Sequence, residues 1–95
     1  MHIVNVKYVK SLDVVDEHIA EHRAWLDTLF AQGVLLASGP QVPRSGGVLL
    51  ASGATSREQL EAILLKDPFR RDQIAEYEVI TVSLTKRSPA FPDLD

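Results

Sequence analysis

Between Leu12 and Gly33 the apolar residues Leu12, Val15, Ile19, Leu26, Leu29 and Phe30 recur at spacings of three and four or their sums, the signature of a long helix with one buried stripe. A helix of that length needs a surface to cover, and the rest of this 95-residue chain has room for one small sheet and little more. Asp16, Glu17, Glu21 and Asp27 point away from the stripe, whereas His22 falls inside it, between Ile19 and Leu26. An imidazole aimed at a core is either a proton-transfer group tuned by its neighbours or a core histidine satisfied by one hydrogen bond. The helix pattern alone leaves both open.

The flanking segments supply the sheet. Residues 2 to 9 alternate, with Val4, Val6 and Tyr8 on one side and Asn5 and Lys7 on the other. Ser11 or Asp13 can cap the helix, and Gly33 can end it in the left-handed conformation. Strands are expected near 34 to 38 and 46 to 52, joined by the turn-forming run Gly39-Pro40-Gln41-Val42-Pro43-Arg44-Ser45. The heptapeptide Gly-Val-Leu-Leu-Ala-Ser-Gly occurs at 33 to 39 and again at 47 to 53, with no similarity beyond it, as two strands of one hairpin with the same needs would produce. Ser56 opens a second helix whose buried face is Leu60, Ile63 and Leu64, and Pro68 limits its length. Residues 77 to 85 alternate again, with Ile80, Val82 and Leu84 on one side and Thr81, Ser83 and Thr85 on the other.

Strand, helix, strand, strand, helix, strand is the split βαβ order. It predicts a ferredoxin-like α+β fold, a four-stranded antiparallel sheet with both helices on one face. Residues 1–87 form this domain and 88–95 a tail in which only Phe91 has much to pack. The open sheet face, expected to carry Ile3 or Val9 and Val79, would be covered by pairing two sheets, which predicts a homodimer.

Charge and composition narrow the function. A net charge of −3 with cations interleaved among carboxylates leaves no basic stripe for nucleic acid. With no cysteine there is no disulfide, thiolate nucleophile or zinc-thiolate site. The apolar runs are only strand length, so no membrane span is expected, and the first residues read as a strand rather than a signal peptide; a cytoplasmic protein is expected. His2, His18 and His22 do not make a three-ligand metal set, His18 reads as a surface residue near Trp25, and nothing points to a cofactor.

Asp67 lies three residues after Leu64, so a second helix that persisted that far would present it on the apolar face, toward His22. Such a carboxylate could fix the tautomer of the imidazole; equally, an aspartate before proline is ordinary helix-end chemistry. Ser38, Gly39 and Pro40 could bring a hydroxyl and backbone N–H groups to a pocket mouth, and Arg44 could hold an anionic oxygen, or each could be simple turn chemistry.

The run Glu21-His22-Arg23-Ala24-Trp25-Leu26, then Gly33, then Leu35-Leu36-Ala37-Ser38-Gly39-Pro40, and finally Lys66-Asp67-Pro68-Phe69 resembles the YCII-related (YciI-like) family in order and spacing. The resemblance runs from Tyr8 to about Leu84. It implies a protomer that forms a dimeric α+β barrel, and a site built on His22 and Asp67; Ser38, Gly39, Pro40, Arg44 and Phe69 are then expected beside the substrate. It also implies a small-molecule chemistry, since the family includes a dehydrochlorinase acting on a chlorinated hydroxyhydroquinone. Where relatives often carry small residues and glycine after Asp-Pro-Phe, this chain has Arg70-Arg71-Asp72-Gln73, which predicts a more charged entrance beside Asp67. Two functions follow as expectations: general acid/base proton transfer in the elimination or isomerisation of a small cyclic or enolisable molecule, or non-catalytic small-molecule binding in which His22 and Asp67 form a structural pair.

Overall fold

The computed structural model describes residues 1–91. Strand β1 (His2–Tyr8) leads into helix α1 (Leu12–Ala31), followed by the hairpin β2 (Leu35–Pro40) and β3 (Gly46–Ala51), helices α2 (Arg57–Leu64) and α3 (Pro68–Arg71), and strand β4 (Ala75–Thr81). The strands lie in the order β2-β3-β1-β4, every neighbouring pair antiparallel, which is the ferredoxin-like arrangement.

Val4 sits opposite Leu49 on one side and Val79 on the other, and Val6 opposite Gly47 and Tyr77, so these side chains share the inner face. Against it pack Val15, Leu26 and Leu29 of α1 and Leu60 and Leu64 of α2. The outer ends of the predicted stripe, Leu12 and Phe30, are exposed. In the duplicated heptapeptide the third residue, Leu35 or Leu49, points inward in both copies, each 3% exposed. The first residue differs: Gly33 ends α1 with φ +74°, while Gly47 lies inside β3.

Two expectations are corrected. Strand β4 runs over 75–81 rather than 77–85, and its inner face is Ala75, Tyr77 and Val79, not Ile80, Val82 and Leu84. Glu76 and Glu78 decide this: carboxylates of that parity must face solvent, which turns Tyr77 and Val79 inward and puts Ile80 on the open face beside Ile3. The second helix ends at Leu64, and Asp67 belongs to no part of it. The residue before a proline is driven to extended geometry, so Asp67 (φ −61°, ψ 130°) starts a separate short helix in which Pro68 occupies the first turn. The open sheet face carries Ile3, Val48, Leu50 and Ile80 around Asn5, and Ile80 is 43% exposed. No described helix is long and apolar enough to cross a membrane.

Candidate functional site

Asp67 is fully buried and its two oxygens accept three hydrogen bonds. Oδ1 accepts from the Phe69 N–H at 3.0 Å, the helix-capping bond, and from His22 Nδ1 at 2.8 Å. Oδ2 accepts from the Tyr77 hydroxyl of β4. A carboxylate without water around it requires this degree of compensation. Both readings of Asp67 from sequence are therefore realised in one side chain: it caps α3, and it meets His22 across the interior.

His22 is 7% exposed and held from three directions. Its ring stacks on Phe69, the centroids 3.9 Å apart and the planes 1° apart, and Trp25 stands 6.2 Å away one turn along α1. With Nδ1–H donated to the carboxylate, the neutral ring carries its lone pair at Nε2. That nitrogen has no partner among the described residues, and no buried side-chain nitrogen or oxygen among them lacks one, so Nε2 is the atom of the pair that solvent reaches.

The three histidines differ in this respect. His2, 4% exposed, has Nδ1 bonded to Thr81 Oγ1 at 2.9 Å and Nε2 to the Thr55 carbonyl at 2.6 Å, so both nitrogens are occupied, one by the end of β4 and one by the loop before α2. His18 donates Nδ1–H to the Val14 carbonyl at 2.9 Å, and its Nε2 lies 3.7 Å from Asp72. Only in His22 is one nitrogen anchored and the other free among the described residues. No group of three metal-ligating side chains occurs among the described residues.

His22 opens onto a cavity of about 270 Å³. Ser38, Gly39, Pro40, Arg44 and Phe69 line it together with His22, so the hairpin end and the α1 histidine, far apart in sequence, border one space. Asp67 does not reach it; the carboxylate stands behind the imidazole, sealed from the cavity. Of the two residues on which the resemblance builds the site, His22 alone borders the cavity. Leu35 and Ser38 face inward from β2, with the irregularity between Leu35 and Ala37 shifting the alternation so that Ser38 opposes Leu49 and Pro40 opposes Gly47.

Several further residues border the cavity. Val6, Ile19, Leu26 and Leu49 form the apolar wall, Tyr8 packs edge-on to Phe69 at 5.9 Å, and Arg23 and Gly47 complete the border. Tyr8, Ile19 and Leu26 were foreshadowed by their inward positions in the strand and helix patterns. Tyr77 was assigned no role.

Electrostatically the mouth belongs to arginines. Arg44 donates from Nη2 to Asp16 Oδ1 at 2.6 Å, tying the β2–β3 loop to α1, and lies 5.9 Å from the Tyr8 ring centroid. Asp16 and then Tyr8 hold the Arg44 pKa above its ordinary value, and Arg44 holds the Asp16 carboxyl below the usual carboxylate range. The charged run after Phe69 is not at this entrance. Arg71 donates to both Glu21 and Asp72 on the outer surface, lowering both carboxyl pKa values, and Arg70 faces a separate groove between α2 and β4.

No curated protein sequence matches the chain. Among solved structures the fold is similar to that of 5-chloro-2-hydroxyhydroquinone dehydrochlorinase (TftG) from Burkholderia phenoliruptrix AC1100, determined in complex with 2,5-dihydroxybenzoquinone. The TM-score is 0.71 at 20% identity, over 87% of this chain and 94% of that one. At that identity the shared property is the fold. Residues 1–83 match the YCII-related domain, which spans all four strands and three helices, and the chain belongs to the YCII-related family.

Proposed function

We propose that this protein is a small-molecule enzyme in which His22 Nε2 takes a proton from a carbon acid bound in the cavity and Asp67 stabilises the imidazolium that forms. The observation that carries this reading is the asymmetry of the His22 ring: Nδ1 is fixed by a fully buried carboxylate, while Nε2 faces the cavity without a partner among the described residues. In an isomerisation, the proton taken by Nε2 returns to a different atom of the same molecule. In an elimination, the electron pair of the broken C–H bond forms the new double bond and a leaving group departs with its own pair. The Ser38 hydroxyl, the Gly39 N–H and the Arg44 guanidinium are the donors offered to a developing oxyanion, Pro40 shapes the wall beside them, and Phe69 fixes the plane of the imidazole. The substrate is a small cyclic or enolisable molecule, consistent with a cavity of this size and with the chlorinated hydroquinone named for the structural neighbour.

We propose a homodimer acting in the cytoplasm, its protomers paired through the open sheet face, where Ile3, Val48, Leu50 and Ile80 leave apolar surface uncovered. Sedimentation at micromolar concentration tests the pairing; a monomer excludes it.

A different observation favours a structural reading: Asp67 caps α3 and does not touch the cavity. One experiment separates the two. Wild type and His22→Asn are incubated in D2O with a panel of enolisable ketones, lactones and halogenated hydroquinones, and deuterium incorporation or loss of halide is followed by NMR. Catalysis by His22 predicts turnover of at least one compound by wild type and a loss of about 100-fold or more in the folded variant. Equal rates in the two proteins would leave the pair a structural one.

A further inference from the structure

The chain carries a net charge of −3, yet every ionisable group on the His22 cavity other than the Tyr8 phenol is basic: Arg23, Arg44 and His22 itself, with no carboxylate among the lining residues. The inner wall is apolar, and the flat rings of Tyr8 and Phe69 stand at its end. We propose that the cavity takes a small monoanion with a flat apolar body, and that Arg44 selects it by exchanging Asp16 for an oxygen of the ligand. The proposal rests on the reading of this cavity as the substrate site, and it names the charge class of what enters.

Three features carry it. Arg44 is held in reserve by a weak partner: Asp16 is not a lining residue, its side chain is 54% exposed, and that of Arg44 is 35% exposed. An ion pair so open to water contributes little, so a ligand anion inside the mouth can replace Asp16 at small cost. Arg23 makes no hydrogen bond or ion pair with another described residue and acts on Asp16 only through its field, so a second guanidinium borders the same space with its N–H donors unused among the described residues. Finally, a cavity of about 270 Å³ lies just below the usual range of about 300–1,000 Å³ for ligand pockets, which limits the body to roughly one ring. Charge at the mouth and apolar surface within orient such a molecule with its anionic end outward and its ring toward Nε2. Asp16 then acts as an internal competitor that neutral molecules do not have to displace and anions do.

Benzoate and benzamide, matched in shape and differing in charge, test this on the full chain by NMR titration. Wild type is expected to bind benzoate about tenfold more tightly than benzamide, as one charge-assisted contact allows, with shifts at the His22 ring and the Gly39 and Gly47 amides. Arg44→Gln should abolish the preference. Asp16→Asn should tighten benzoate several-fold and leave benzamide unchanged. Equal binding of the two probes, failure of either to perturb the cavity at millimolar concentration, a preference that survives in Arg44→Gln, or weaker benzoate binding in Asp16→Asn would each overturn the proposal. His22→Asn should keep the preference for benzoate, so a failure of the catalytic reading leaves this selectivity measurable on its own.

Discussion

Replacing Tyr77 with phenylalanine removes one oxygen from the interior, and the structure specifies what that oxygen does. It supplies the donor to Asp67 Oδ2, an atom with no other partner among the described residues, in a side chain that is 0% exposed. The variant therefore leaves one lone-pair site of a buried carboxylate unmatched. A hydrogen bond to a charged group contributes about 1.5–3 kcal/mol, and Tyr77→Phe should cost that much. For a domain of this size each 1 kcal/mol lowers the melting temperature by about 4–8 °C, giving a fall of roughly 6–24 °C. Urea denaturation at pH 7 and fixed protein concentration measures it, since any self-association would make the midpoint concentration-dependent. The same measurement on Asp67→Asn and on the double variant closes a cycle, and a coupling of at least about 1 kcal/mol is expected between the two positions. A loss below about 0.5 kcal/mol, or additive effects, would refute the claim that Tyr77 and Asp67 act on each other.

Two glycines on adjacent strands should respond in opposite ways. A Cβ at Gly46 would lie 1.8 Å from the Val6 carbonyl oxygen, so Gly46→Ala must separate β1 from β3, and a loss exceeding about 3 kcal/mol or failure to fold is expected in the urea titration; a Cβ at Gly39 meets nothing within 4 Å, and Gly39→Ala should stay within about 0.5 kcal/mol of wild type. Phe69→Ala removes the platform under His22 and a fully packed side chain, with an expected loss of about 3–5 kcal/mol by the same assay, whereas Phe69→Leu should retain most of the stability but let the imidazole reorient, visible in its ring proton shifts. The Arg44–Asp16 tie follows the protonation of Asp16, whose pKa in the folded chain is lowered. Its contribution is fully present above the ordinary carboxylate range and is lost as pH falls through the depressed value, so hydrogen exchange of the 41–45 loop should stay constant from pH 7 to 5 and accelerate, after correction for intrinsic rates, only below that range; Asp16→Asn should show the faster exchange at every pH.

Much of this architecture is legible from hydrophobic period, because β1, α1 and α2 each have one mainly apolar parity or stripe and one mainly polar one, while the hairpin, apolar on both parities, is legible from the turn residues that join its strands. Strand β4 is where that signal fails. Val79, Ile80 and Val82 are apolar on both parities, so alternation is compatible with either face, and only the pairing of Val79 with Val4 and Tyr77 with Val6 selects one. The site shows the same division. His22 stands out locally, as an imidazole in a leucine's position. Asp67 was placed inward for a helix that ends before it, and it arrives beside His22 through the extended backbone that Pro68 imposes. Tyr77 could not be found from spacing, since its role depends on which face of β4 turns inward. The Arg44–Asp16 contact joins a loop to a helix 28 positions away, and no local pattern encodes it.

Orientation of His22 by Asp67 requires the ring proton to reside at Nδ1, toward the carboxylate, with Nε2 open to the cavity. A long-range 1H–15N correlation spectrum of the neutral ring reads this directly. Nδ1 should give the protonated, pyrrole-type shift and Nε2 the pyridine-type shift, and this pattern should weaken in Asp67→Asn. A ring protonated at Nε2 with a pyridine-type Nδ1 would contradict the arrangement, because the carboxylate would then have no proton to accept from the histidine it is meant to orient.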